Sequence, residues 1–265
     1  MVFALPAASA ATMWNQQALL LVHIPIGGGQ VFTSNFVFTA TENATTVNVK
    51  CFNESGNRIG PLPGINIAFS ASNQVSQQTP TSLGVTADPL FGSGSGWCWA
   101  SSPGGAFDYT VQATYGATSD FTPGGILNSP GASFIGHSPG AAETTNNLAG
   151  VPFWTTVGGA QHFLVLLNPL SAAASANSRL FDTSGTAQGT GPLARTLNPR
   201  SLVVLTVPTS FGLASPPTSG SIKVVQITGR FLGWYLQVYP NGRAVFSQIN
   251  LDGDDTALLP IADAP

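Results

Sequence analysis

Charge is what this sequence has least of. Only 7% of its 265 residues are Asp, Glu, Lys or Arg, and the net charge is −3. Ordinary soluble domains carry about 25% charged residues. No basic surplus exists to neutralise phosphates, which argues against nucleic-acid binding. Histidine is scarce as well: His23, His137 and His162 stand apart, none at metal-ligand spacing or beside a useful carboxylate. A G-x-S-x-G elbow is missing, and no glycine-rich loop leads from a strand into a helix. Nor does any run approach the roughly 18 apolar residues of a membrane span. No window has the apolar period of an amphipathic helix. Disorder is disfavoured too, because 43% of the residues are hydrophobic and the net charge is small.

A surface solvated by Ser, Thr, Asn and Gln has little self-repulsion. It tolerates close packing against copies of itself or against neutral polymers. The plain alternative is a secreted protein of monomeric habit. Ala8-Ser9-Ala10 has the small-x-small form of a signal-peptidase site. Residues 1–14 therefore read as the remnant of a secretory signal or as an N-terminal arm. An exported, extracellular, cell-surface or periplasmic location is expected. Cys51 and Cys98 are the only cysteines, and an even count in an exported chain favours one disulfide over two buried thiols. Such a bridge would contribute about 4 kcal/mol through the unfolded state.

A weak internal repeat organises the chain. Cys51-Phe52-Asn53-Glu54-Ser55-Gly56 lines up with Leu180-Phe181-Asp182-Thr183-Ser184-Gly185, with Lys50 on Arg179 and Thr39 on Asn168. Further on, Gln112 falls on Gln237 and Phe121 on Phe246 at a slightly different offset. Alternating and β-branched or aromatic segments predict strands at 18–24, 35–41, 46–52, 65–71, 96–100 and 108–115. The second half predicts them at 162–168, 176–181, 201–208, 221–228, 232–239 and 244–251. Pro240-Asn241-Gly242 reads as a hairpin turn. The expected fold is all-β: two tandem antiparallel β-sandwich domains, immunoglobulin-like or Greek-key in preference to jelly-roll. The expected layout is a first sandwich at 15–122, a Gly/Pro/Ser-rich linker at 123–150, a second sandwich at 151–252 and a tail at 253–265.

If Val47, Val49 and Cys51 face the core and Cys98 meets Cys51, strand alternation turns Phe52, Trp97 and Trp99 the other way. Two outward indoles on one strand, roughly 7 Å apart, would form a flat platform for a protein partner or a sugar. Packing beneath a loop or against the second half is the alternative. Leu180 and a residue near 222–223 replace the cysteines in the second half, without the tryptophans. Asp252, Asp254 and Asp255 form the one acidic cluster. Closely spaced Asp around a Gly can hold Ca²⁺, while a solvated acidic turn is the ordinary alternative. No other cofactor is expected. Asn53 and Asp182 read as turn formers, and Asn43 and Asn53 head glycosylation sequons.

These observations predict a non-enzymatic extracellular structural or interaction protein, acting by self-assembly or by docking at a cell surface. The partner would be another copy or a surface protein. The alternative is a pair of carbohydrate-binding modules gripping a neutral polysaccharide on the Trp platform. The apolar run from Ala18 to Ile24 lacks charged gatekeepers. It reads as an edge strand, covered either by the chain itself or, in the expectation preferred here, by a neighbouring copy.

Overall fold

The computed structural model describes residues 16–41, 44–85, 95–102, 109–117, 127–130, 132–133, 148–155, 159–207, 209–213, 219–229, 231–241, 244–249 and 251–252. Among these the chain is all-β, in several antiparallel sheets with no α-helix. None of its helical turns is long and apolar enough to cross a membrane.

The first half contributes β1 (Gln16–Pro25), β2 (Val31–Ala40), β3 (Thr45–Asn53), β4 (Arg58–Ile59), β5 (Ile65–Phe69), β6 (Val75–Gln78), β7 (Ser95–Ser101), β8 (Tyr109–Ala117), β9 (Leu127–Pro130) and β10 (Ala132–Ser133). They form one continuous sheet in the order β4-β3-β7-β1-β2-β8-β9, with β5 on β3, β6 on β2 and β10 on β1. The second half contributes β11 (Leu148–Thr155), β12 (Gln161–Leu167), β13 (Ala174–Asp182), β14 (Ala187–Leu197), β15 (Leu202–Val207), β16 (Ser219–Thr228), β17 (Leu232–Val238), β18 (Ala244–Ile249) and β19 (Leu251–Asp252). These form two sheets, β14-β13-β16-β11-β19 and β15-β12-β17-β18.

The two halves share one wiring. β3-β7-β1-β10 corresponds to β13-β16-β11-β19, and β6-β2-β8-β9 to β15-β12-β17-β18. β14 plays the parts of both β4 and β5, pairing with β13 on either side of a register break after Ser178. The matched turns agree in detail. Gly56 N donates to Asn53 O and Asn53 N to Asn57 O, just as Gly185 N donates to Asp182 O and Asp182 N to Thr186 O. Gly56 and Gly185 stand at φ 82 and 81, where a side chain would be strained.

Three expectations are corrected. Part of the 123–150 stretch is not linker, because β9 pairs with β8 and β10 with β1. Glycine and proline content hid these short strands. β1 is not an edge: β7 pairs along Gln16–Val22, β2 along His23–Pro25 and β10 at Gln17–Ala18. Its apolar run is therefore an interior strand, covered by the chain itself. The Gln112–Gln237 equivalence does not hold: Gln112 lies opposite Val37, whose counterpart in the repeat, Leu166, lies opposite Gly233, while Gln237 lies opposite His162. Residues 1–15 and 253–265 lie outside the described residues.

Burial shows how the sheets are layered. β2 and β13 alternate buried with half-buried positions, so each has one face in a core. β17, by contrast, is buried at every residue, as are Ala18–Val22 of β1 and Trp97–Ala100 of β7. Such strands have protein on both faces. In β12 and β17, Leu164, Leu166 and Tyr235 pack with Leu180, Ile222 and Val224 of the second half. Their neighbours Val165, Leu167, Trp234, Leu236 and Val238 join the core of the first half.

Candidate functional site

The chemistry-bearing residues collect where the halves meet. Cys51 and Cys98 lie directly opposite each other on β3 and β7 and are bonded, with S–S 2.10 Å, as expected. Both are buried. Alternation then sends Phe52 and Lys50 of β3 to the opposite face, opposite Trp97 and Trp99 of β7. That much follows from the sequence.

The face they reach is not solvent. Trp97 and Trp99 are 0% exposed and Phe52 4%. The Trp97 indole stacks on Phe52 at 4.6 Å and meets Trp99 edge-on at 6.4 Å. Its Nε1 donates to Arg200 O of the second half at 3.0 Å. Leu202 N donates to Glu54 O at 2.8 Å. A methyl group on Gly56 would lie 2.6 Å from Pro199 O. The exposed platform of Phe52, Trp97 and Trp99 is thus corrected to a seam. This side of the sheet shares one core with Leu202 of β15, Val165 and Leu167 of β12, and Trp234, Leu236 and Val238 of β17.

The counterpart face of the second half explains the missing tryptophans. Leu180 pairs with Ile222 as Cys51 pairs with Cys98. Ser221 and Lys223 therefore occupy the places of Trp97 and Trp99. Lys223 is exposed and Ser221 half-buried.

Cations rim the seam. The Arg58 guanidinium sits 5.4 Å from the Phe52 ring centroid. Its Nη2 donates to Pro63 O at 2.8 Å and to Pro61 O at 3.3 Å, stapling the Gly60–Gly64 loop. Lys50 follows two residues before Phe52 on the same face. Arg200 arrives from the turn after β14 at φ 56, held by Arg200 N on Leu170 O. Asn168 holds that turn from below: Nδ2 donates to Leu197 O and Asn198 O, and Oδ1 accepts from Leu170 N. Burial lowers the Lys50 pKa, and the Arg58 and Arg200 charges lower it further. Burial and the Arg200 charge do the same to Arg58. Sequence reasoning missed Arg58 and Arg200, because they converge only through tertiary contact; Lys50 and Asn168 entered it only as positions of the repeat match.

The remaining candidates fall elsewhere. His162 is buried, with Nδ1 2.6 Å from the Tyr235 hydroxyl. Burial lowers the His162 pKa against an opposing backbone bond from Thr155, and burial raises that of Tyr235. Asp252 ends β19, paired with Leu148, whereas Asp254 and Asp255 lie outside the described residues. Asn53 and Asp182 act as turn formers, accepting from Asn57 N and Thr186 N through Oδ1 at 2.9 Å each.

No family model matches the chain, and no curated protein does. Among solved structures, it is similar to Thermotoga maritima 1070 at 11% identity and a TM-score of 0.34, covering 40% of this chain and 95% of that one. It is also similar to a Pleurotus ostreatus lectin in its apo form, at 13% identity and a TM-score of 0.17, covering 92% and 78%. A third likeness is to the infectious bursal disease virus Gt strain, at 10% identity and a TM-score of 0.21, covering 90% and 74%. At these scores the likenesses carry no argument about the fold or activity of this chain.

Proposed function

We propose that this is a non-enzymatic, exported structural or interaction protein. In this reading two Greek-key β-sandwich units are fused through the Trp97 seam, and the protein docks on a surface partner or on other copies of itself. One observation carries it. Trp97, Trp99, His162, Tyr235, Asn168 and both cysteines are at most 3% exposed, and they serve packing, bridging and turn bonds. These side chains, of types that can carry chemistry, are committed to the frame. The buried disulfide supports an oxidising compartment, and the 7% charge content supports association. Neutral-polysaccharide binding on an exposed Trp pair is not carried forward, because those indoles are covered.

The test is recovery of the protein from its native host with thiols blocked at lysis, followed by fractionation and electron microscopy. An oxidised protein outside the cytoplasm, in oligomers or bound to envelope material, is the expected result. A reduced cytoplasmic monomer would sink the reading.

A further inference from the structure

β6 is an outer strand, paired with β2 alone. Gln74 O accepts from Ala40 N. In the antiparallel ladder Ser76 and Gln78 therefore turn their backbone groups toward β2, and Val75 and Gln77 turn theirs away. Those outward N–H and C=O groups meet no hydrogen-bond partner among the described residues. Val75 is 64% exposed, and Gln77 is exposed as well. Outer edges are ordinarily guarded by charge or proline: β14 carries Pro192 and Arg195, and β4 carries Arg58. β6 has neither guard, and no residue from Ile59 to Ala87 is charged. The counterpart edge in the second half shows what such an edge accepts. β15 turns Leu202 N–H outward, where it donates to Glu54 O of the first half at 2.8 Å. That edge receives backbone from a like unit, and β6 is left without one.

We propose that β6 is the self-association edge of this protein: the β6 strands of two copies pair antiparallel about a two-fold axis at Ser76. The register is self-complementary. It sets Val75 of one copy opposite Gln77 of the other, and both turn their backbone outward, so each N–H donates to the facing C=O. Ser76 meets Ser76 at the position that such a ladder leaves unbonded, and its own backbone groups already face β2. A second copy thus satisfies every outward group of the edge and brings no charge against it. The pairing uses the same patch on both copies, so it closes at the dimer. This inference rests on the self-docking branch of the function proposed above, and it names the surface and the partner for that branch.

The experiment is sedimentation equilibrium of the intact, oxidised protein over a wide concentration range, with circular dichroism to confirm that each variant folds. Gln77→Pro removes an N–H that points away from β2, so the ladder within the chain is spared. Val75→Lys places a guard on an exposed position and keeps the test open if the proline variant fails to fold. Ile227→Lys, at an exposed apolar residue of the second half, is the control. The parent should form dimers. Loss of the reciprocal bonds in Gln77→Pro should weaken them roughly tenfold or more, and Val75→Lys should weaken them in the same direction. Ile227→Lys should associate as the parent does. If a folded Gln77→Pro or Val75→Lys associates like the parent, or Ile227→Lys weakens association as much as Val75→Lys, β6 is not the edge, and the wider docking role stands. A parent that stays monomeric throughout also overturns the β6 edge; the wider role is then decided by fractionation of the native protein.

Discussion

At Asp182 one carboxylate gathers a whole turn. Its oxygens accept from Ser184 Oγ and N, Thr186 N and Gln188 Nε2. The Ser184 hydroxyl and then the Thr186 N–H hold its pKa below the ordinary aspartate value. A depressed folded pKa contributes stability above the unfolded value, lost as pH falls through the folded one. Asp182→Asn keeps the Oδ1 acceptor and removes the titration. Its denaturation midpoint should therefore fall less steeply than the parent's between about pH 5 and pH 2. His162 has the same sign for a different reason, since burial disfavours its charged form. Stability should decline as pH drops below the ordinary histidine value of 6.5, where the unfolded chain takes up the proton first. His162→Phe removes that decline. It also leaves the buried Tyr235 hydroxyl without its 2.6 Å partner, at a cost of about 1–3 kcal/mol. Urea titrations of parent and variant across pH 5 to 8 check both effects. An unchanged slope with pH would remove His162 from the account.

Among the elements, sequence legibility followed how each strand is buried. β3, β13 and β7 could be read because they alternate or are densely apolar, and the Phe-Asx-x-Ser-Gly turn marked the repeat. β14 was missed: its Ala-Gln-Gly-Thr-Gly-Pro start is an exposed outer strand with no apolar face to advertise it. β11 was missed because Pro152 interrupts it. The register shift between Val151 and Trp154 accommodates a residue without an N–H. The Cys51–Cys98 pair was legible as a bridge, but the Trp97 and Trp99 environment was not. Alternation tells which way a side chain points, not what lies there. Replacing both cysteines with alanine should destabilise the fold by about 4 kcal/mol. Because both sulfurs are buried, a reductant should act only at the rate of unfolding. Fast reduction of the folded protein would show that the strands open locally.

For the whole molecule the seam decides cooperativity. Val165, Leu167, Trp234 and Leu236 share one core cluster with Leu19, Trp97 and Trp99, so the halves should melt in a single calorimetric transition. Trp97→Ala removes a buried indole at about 3–5 kcal/mol. It should separate that transition into two, and a single lowered transition would mean the seam contributes stability without coupling the halves. The joint also has a direction. The Trp face of one half shares a core with β15, β12 and β17 of the other, strands whose counterparts are β6, β2 and β8 and not those of the Trp-bearing side. A front-to-back joint between like units has no internal reason to stop at two, and repeated it grows an open fibre. Here the second half carries Ser221 and Lys223 where the first carries its indoles, with Arg179 beside Lys223. That polar, positively charged face has no indoles with which to repeat the same joint. Converting Ser221 and Lys223 together to tryptophan should supply them and give end-to-end chains that lengthen with concentration in sedimentation velocity runs.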